Sequence, residues 1–120
     1  MGLMGKRIVI TGGAGVLGQG VARVAKQQGA DVVLLDVTPP QADAVGEFVA
    51  VDLTDKNSLV ACFDHMGDFD VLANIAGGFA MGPSVYETED ELWDAMFTIN
   101  VTTLRRVLNV AMPRLLARGR

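Results

Sequence analysis

Residues 13–18 read Gly-Ala-Gly-Val-Leu-Gly, directly after a β-branched run and directly before a helical one. No other stretch restricts the fold of this chain as much. In a G-x-G-x-x-G turn of this kind the first glycine permits a tight turn. The second lets the backbone approach a pyrophosphate, and the third allows close helix–strand packing. The helix that follows points unpaired N–H groups and a partial positive charge at whatever sits before it. An idle turn gains nothing from so many glycines, since each costs a helix about 1 kcal/mol. Asp36 stands at the end of the next apolar run. There a carboxylate can accept from both hydroxyls of an adenosine ribose, whereas a 2′-phosphate would meet like charge. Neither Ala14 nor Val37 supplies an Arg that would welcome that phosphate. The pattern therefore predicts a dinucleotide site that prefers NAD to NADP.

Around this turn the chain alternates strand and helix. Residues 6–11 (KRIVIT) read as strand 1, and 16–28 as a helix with Leu17, Val21, Val24 and Ala25 on one face, stopped by Gly29. Residues 31–36 (DVVLLD) are apolar on both faces, as a central parallel strand is. Residues 41–45 offer at most one helical turn before strand 3 at 47–51. Thr54 is placed to cap a helix carrying Leu59, Phe63 and Met66. Strand 4 spans 69–74, and a Gly-rich loop follows at 77–84. Thr88-Glu89-Asp90-Glu91 has the form of a capping box before a helix with Leu92, Trp93, Met96 and Phe97. The last helix, about 101–118, carries a stripe of Leu104, Leu108, Ala111 and Leu115 expected to face the sheet, with Val107, Val110 and Leu116 falling partly outside it. Arg114 and Arg118 suit its closing dipole, and Pro113 predicts a kink or break. The succession is α/β, with parallel strands joined by right-handed crossovers and helices on both faces.

At 120 residues the chain allows one domain, read as spanning 1–120. Half of it is hydrophobic and only 20% charged, which excludes disorder. Cys62 is the one cysteine, so a disulfide framework and a Cys-cluster metal site are excluded and a reducing compartment is expected. A net charge of -4 argues against nucleic acid or an anionic membrane as partner. The longest uncharged stretches, 8–22 and 71–85, fall short of the ~20 residues a spanning helix needs. The first residues lack the apolar core of a signal peptide, so the cytoplasm is the default. Mean hydropathy is +0.33, high for a small domain, and part of that apolar content is expected at an interface.

Three motifs in order, Thr11–Gly18, Asp52-Leu53 and Asn74-Ile75-Ala76-Gly77, resemble the short-chain dehydrogenase/reductase family. The likeness runs from Lys6 to Arg120. It implies a Rossmann-like sheet in the order 3-2-1-4, truncated before a fifth strand. It implies NAD bound by Gly13, Gly15, Val16, Leu17, Gly18, Asp36, Asp52 and Leu53, with Asn74, Ala76 and Gly77 along the path to the nicotinamide. Asn100, in Ile99-Asn100-Val101, resembles the family's catalytic Asn, which kinks a helix and holds a water in a proton relay. The complete reaction would move hydride between NAD(H) and a small carbonyl or alcohol substrate. No metal is implied.

The chain departs from the family pattern in three places. Val16 stands where the common glycine pattern has its middle Gly, giving T-G-x-x-G-x-x-G as in the extended subgroup that includes sugar epimerases. Ile75 replaces the second Asn of the strand 4 motif. The family's Ser and its Tyr with Lys four residues on are absent: Tyr86 is the only Tyr, Asp90 lies four residues beyond it, and Lys6, Lys26 and Lys56 all precede it. The chain reads as the nucleotide-binding half of such an oxidoreductase. The alternatives are a non-catalytic nucleotide-binding module, a sugar-nucleotide epimerase fragment, and an interaction fragment without a ligand. His65 reads as a surface or capping residue, Cys62 as core, and Trp93, Met96 and Phe97 as core or interface. An apolar edge at strand 4 and a two-faced last helix, which the family commonly uses between subunits, predict a homo-oligomer.

Overall fold

The computed structural model describes residues 2–78, 80 and 82–118. Phe79 and Met81, in the glycine-rich loop, lie outside the described residues. The elements are β1 (Arg7–Thr11), α1 (Val16–Gln27), β2 (Asp31–Asp36), β3 (Glu47–Ala50), α2 (Lys56–Met66), β4 (Val71–Asn74), a 3-10 turn (Val85–Glu87), α3 (Asp90–Phe97), a π-helical segment (Thr98–Thr102) and α4 (Thr103–Ala117). All strand pairs are parallel, in the order β3-β2-β1-β4 expected from the sequence. Ile8 lies opposite both Val32 of β2 and Val71 of β4.

Alternation along the central strands divides the core in two. Ile8, Ile10, Val32 and Leu34 pack with Ala22 and Ala25 of α1 on one face. Val9, Val33 and Leu35 pack with Leu59, Cys62 and Phe63 of α2 and with Val107, Val110 and Ala111 of α4 on the other. The buried side of α1 is Gly18, Gln19, Ala22 and Ala25, mostly small residues that let the helix lie close to the sheet. Gly29, at φ +87°, ends the approach to β2 in the left-handed region, as the sequence predicts. Cys62 is buried, and its burial pushes the thiol pKa up.

Several local expectations are corrected. Asp55, not Thr54, caps α2, accepting from the N–H groups of Asn57 and Ser58. The Thr54 hydroxyl is instead committed to Asp52 Oδ1 at 2.6 Å. No capping box forms at α3: Glu89 is the N-cap without a side-chain bond, and Thr88 Oγ1 donates back to the Ser84 carbonyl. Residues 41–45 make a single turn, within the one helical turn expected there, with Ala44 N donating to the Gln41 carbonyl. Pro113 sits inside an unbroken α4. Asn109, whose carbonyl loses its helical donor to the proline ring, is exposed and so open to water.

The face of α4 is rotated from the expected stripe. Val107, Val110 and Ala111 are buried, while Leu104 is exposed and Leu108 and Leu115 are only half-buried. Val107 and Val110 therefore belong to the core. Arg114 and Arg118 anchor the end of this helix, Arg114 on Asp64 and Arg118 on Asp68 and Asp70. Trp93 and Phe97 are exposed in this chain rather than core, and His65 is on the surface.

Candidate functional site

The C-terminal ends of the four strands open into a cleft of about 890 Å³. Its floor is the turn between β1 and α1. Gly12 carries the turn, at φ +69°, and a Cβ there would lie 2.8 Å from the Ala76 Cα. Gly13, to which the sequence assigned that role, is buried under β2 instead. A Cβ on it would stand 2.7 Å from the Leu34 Cβ. Gly18 packs its helix onto the turn: a Cβ would overlap the Gly12 carbonyl oxygen and lie 2.8 Å from the Gly13 Cα. Gly15 is different. The nearest atom to a Cβ there is 3.5 Å away, so packing alone does not demand glycine. Gly15 is the N-cap of α1, which has no side-chain cap and no acidic residue in its first turn.

Asp36 closes the turn from β2. Its Oδ2 accepts from Ala14 N at 3.1 Å, and its Oδ1 accepts from Val37 N at 2.8 Å. Oδ1 also accepts, at 3.5 Å, from Thr38 N. Of the two lone pairs on each oxygen, it is therefore Oδ2 that keeps one for a further donor, while a second donor on Oδ1 would replace the long bond from Thr38. Asp52 lies on the same rim after β3. Its carboxyl is held below the ordinary value of 3.8, first by the Thr54 hydroxyl, then by the Thr54 N–H, with the Arg106 charge acting the same way. Arg106 also reaches the Thr54 carbonyl from α4, which fixes the loop that carries Leu53.

On the other side, Thr11 joins β1 to the loop leaving β4. Its buried hydroxyl oxygen accepts from Ile75 N and Ala76 N, both at 3.2 Å. Asn100 lies in the π segment. Its Nδ2 donates to the carbonyls of Gly78 at 2.8 Å and Met96 at 2.9 Å, and its Oδ1 accepts from Gly78 N at 3.0 Å. A Cβ on Gly77 would stand 2.6 Å from Asn100 Oδ1, so a side chain there would displace the Asn100 amide from its bonds to Gly78.

Of the residues picked out from the sequence, Gly15, Val16, Leu17, Gly18, Asp36, Asp52, Leu53, Ala76, Gly77 and Asn100 all face the cleft. Gly13 and Asn74 do not. Gly13 is covered by Leu34, and Asn74 lines a smaller cavity of about 100 Å³ with Thr11 and Thr103. Gly12, Ile75, Gly78 and Thr103 also line the cleft and were not named. Of these, the Thr11-Gly12 step was the available signal, since the motif begins one residue before its first matched glycine. Tyr86 is exposed on the 3-10 turn and lies outside the cleft wall. Among the described residues no three His, Cys, Asp or Glu side chains form a metal-binding group, and no helix is long and apolar enough to cross a membrane.

The short chain dehydrogenase family pattern matches residues 6–120. An uncharacterized oxidoreductase of Staphylococcus epidermidis is 30% identical, aligned over 92% of this chain and 53% of its own length. The 2-keto-3-deoxy-L-fuconate dehydrogenase of Xanthomonas campestris is 32% identical over 98% of this chain and 41% of its own. The solved structure of an NADH-dependent reductase, A1-R′, complexed with NAD superposes with a TM-score of 0.83 at 28% identity, covering 98% of this chain and 55% of that one. The chain thus spans about half the length of the relatives it matches. With its β3-β2-β1-β4 parallel sheet and its glycine turn before α1, this chain belongs to the short-chain dehydrogenase family.

Proposed function

We propose that this chain is the NAD-binding half, a single domain, of an oxidoreductase acting on a small carbonyl or alcohol. The observation that carries the reading is the cleft floor: a glycine turn packed too tightly for side chains, followed by a helix start with no side-chain cap. A pyrophosphate would take the first-turn N–H groups of α1, with the open space at Gly15 allowing close approach. Asp36 would accept one adenosine ribose hydroxyl on the lone pair that Ala14 leaves on Oδ2 and the other on Oδ1 in place of the long Thr38 N bond. Asp52 and Leu53 would flank the adenine, and Ala76, Gly77 and Asn100 would border the nicotinamide end, with Gly13 and Asn74 supporting from behind. When bound, the nicotinamide supplies hydride chemistry. Asn100, whose side chain already bridges the loop after β4 and the π segment, would hold a water for proton transfer.

Calorimetry with NAD and NADP tests this. NAD should bind more tightly, and Asp36→Ala should narrow the gap, since bonds to a charged acceptor are worth ~1.5–3 kcal/mol. Asp36→Asn keeps an acceptor for Ala14 N but loses the charge, which separates repulsion from turn support. Equal affinity for the two cofactors in the unsubstituted chain would defeat the assignment of Asp36.

The second reading, binding without catalysis by this chain, is favoured by Tyr86, which lies outside the cleft wall and has Asp90 where the family has Lys. No turnover is expected with NAD and a panel of simple alcohols. Turnover that disappears on Tyr86→Phe would reverse that. Association is also part of the proposal. Trp93, Phe97 and Leu116 are more than half exposed, apolar side chains that a homo-oligomer would cover. Sedimentation of a Phe97→Lys, Leu116→Lys double variant should shift toward monomer. Cys62, unpaired, suits the reducing cytoplasm.

A further inference from the structure

Gln19 is one of the few buried polar residues of the chain, and it lies outside the cleft wall. It sits on the sheet-facing side of α1, among Gly18, Ala22 and Ala25. Its Nε2 donates to the Gly13 carbonyl at 2.9 Å and to the Val45 carbonyl at 3.3 Å, and its Oε1 accepts from Val45 N at 2.9 Å. One amide thereby ties the glycine turn to the β2–β3 connection. That connection carries no helix, and the backbone bond within it runs from Ala44 N to the Gln41 carbonyl.

The Gly13 carbonyl and the Ala14 N–H are two ends of one peptide plane. Gln19 holds the oxygen end, and Asp36 Oδ2 holds the nitrogen end. If that plane turned over, the Gly13 oxygen would face the Asp36 carboxylate and repel it. We propose that Gln19 is a positioning residue for cofactor choice: by fixing the Gly13–Ala14 peptide and the Val45 loop, it holds Asp36 in the orientation that accepts ribose hydroxyls. The proposal rests on the NAD-binding reading and adds to it a residue that touches no ligand. Glutamine is the side chain that meets the requirement. Leu has no polar atoms, Asn is one methylene short, and an ionised Glu has no donor for the two carbonyls.

The test compares the unsubstituted chain with Gln19→Leu and Gln19→Glu. Gln19→Leu should weaken NAD binding about tenfold while affecting NADP less, so the preference narrows. Its Ala14 and Val45 amides should exchange faster without ligand, while the β4 amides stay unchanged. In Gln19→Glu, the protonated acid can donate to the Gly13 carbonyl and still accept from Val45 N. NAD affinity should therefore recover as pH falls from about 8 to 6, the buried acid having a raised pKa. Arg23 and Asp43 share a cavity with Gln19, and Asp36 lies across the turn. These are the charges that move the recovery point. A lowered melting temperature with an unchanged NAD/NADP ratio in Gln19→Leu, or a flat pH profile in Gln19→Glu, would overturn the proposal. If the unsubstituted chain binds neither cofactor, the NAD reading itself fails. The ligand-free exchange at Ala14 and Val45 then still decides whether Gln19 fixes that peptide.

Discussion

The β1-α1-β2 half of the molecule and the half reached through β4, α3 and the π segment hold their parts of the cleft by opposite means. In the first, the central residues of both strands are buried on both faces, and the turn is main chain packed on main chain. In the second, β4 is half-buried, and among the described residues α3 buries no side chain. There the loop after β4 depends on two side chains, Thr11 and Asn100. A site made of backbone is rigid and is disturbed chiefly by adding atoms. A site made of side-chain bonds is disturbed by removing them, one at a time.

Gly18→Ala should break the first half outright. The new Cβ meets the Gly12 oxygen and the Gly13 Cα, both backbone, which cannot give way cheaply. A loss of about 3 kcal/mol in urea denaturation is expected, with dinucleotide binding abolished. Gly15→Ala, by contrast, should fold normally, because its Cβ meets only ordinary contact. If both variants fold equally well, the packing distinction is wrong.

Thr11→Val probes the junction of the halves. It keeps the shape but leaves the Ile75 and Ala76 N–H groups without their acceptor. It should cost about 2 kcal/mol, and Thr11→Ser should restore most of that. Asn100→Ala should cost less, about 1 kcal/mol, because its bonds are exposed to water. Its effect should concentrate in amide exchange at Gly78, whose N–H donates to it, while the α1 turn stays protected. Equal loss of protection in both halves would erase the contrast between them.

The smallest effect concerns acid. The Asp52 carboxyl is lowered in the folded chain, so its contribution is present above 3.8 and fades as pH falls below that value. Asp52→Asn should flatten the stability curve in that acidic range and leave neutral stability nearly unchanged. An unaltered acid limb would show that the bonds from Thr54 do not bias its ionisation.

The strands and their parallel alternation with helices were legible because they rest on patterns local to one segment, β-branched runs, the glycine turn and Gly29, while the order of the sheet came from the family resemblance. What escaped depends on partners distant in sequence. Gly12 is marked only by the Thr11-Gly12 step, since its positive φ and its contact with Ala76 do not distinguish it from Gly13 in a glycine-rich string. Thr54 looked like a cap until Asp52 claimed its hydroxyl, and the stronger carboxylate acceptor of Asp55 took the helix start. Gln19 did leave a signal, a polar residue among the small apolar ones that α1 turns to the sheet.

The π-helical segment at Thr98–Thr102 has a rotational consequence for everything before it. Along an uninterrupted α-helix, Trp93 would emerge about 40° from the direction of Val107, which is the direction of the sheet. One residue's worth of winding lost in the wider turn makes that about 140°. The two helices thus run on from one another with a phase slip between them. The slip swings Trp93 and Phe97 away from the core that Val107 enters, and it leaves the Asn100 amide where the Gly78 backbone can meet it. A heptad or α-periodic reading carried across residue 100 points the aromatic residues inward. Deleting one residue between 98 and 102 would restore that phase and turn the outward-facing aromatic side chains toward a sheet with no space prepared for them.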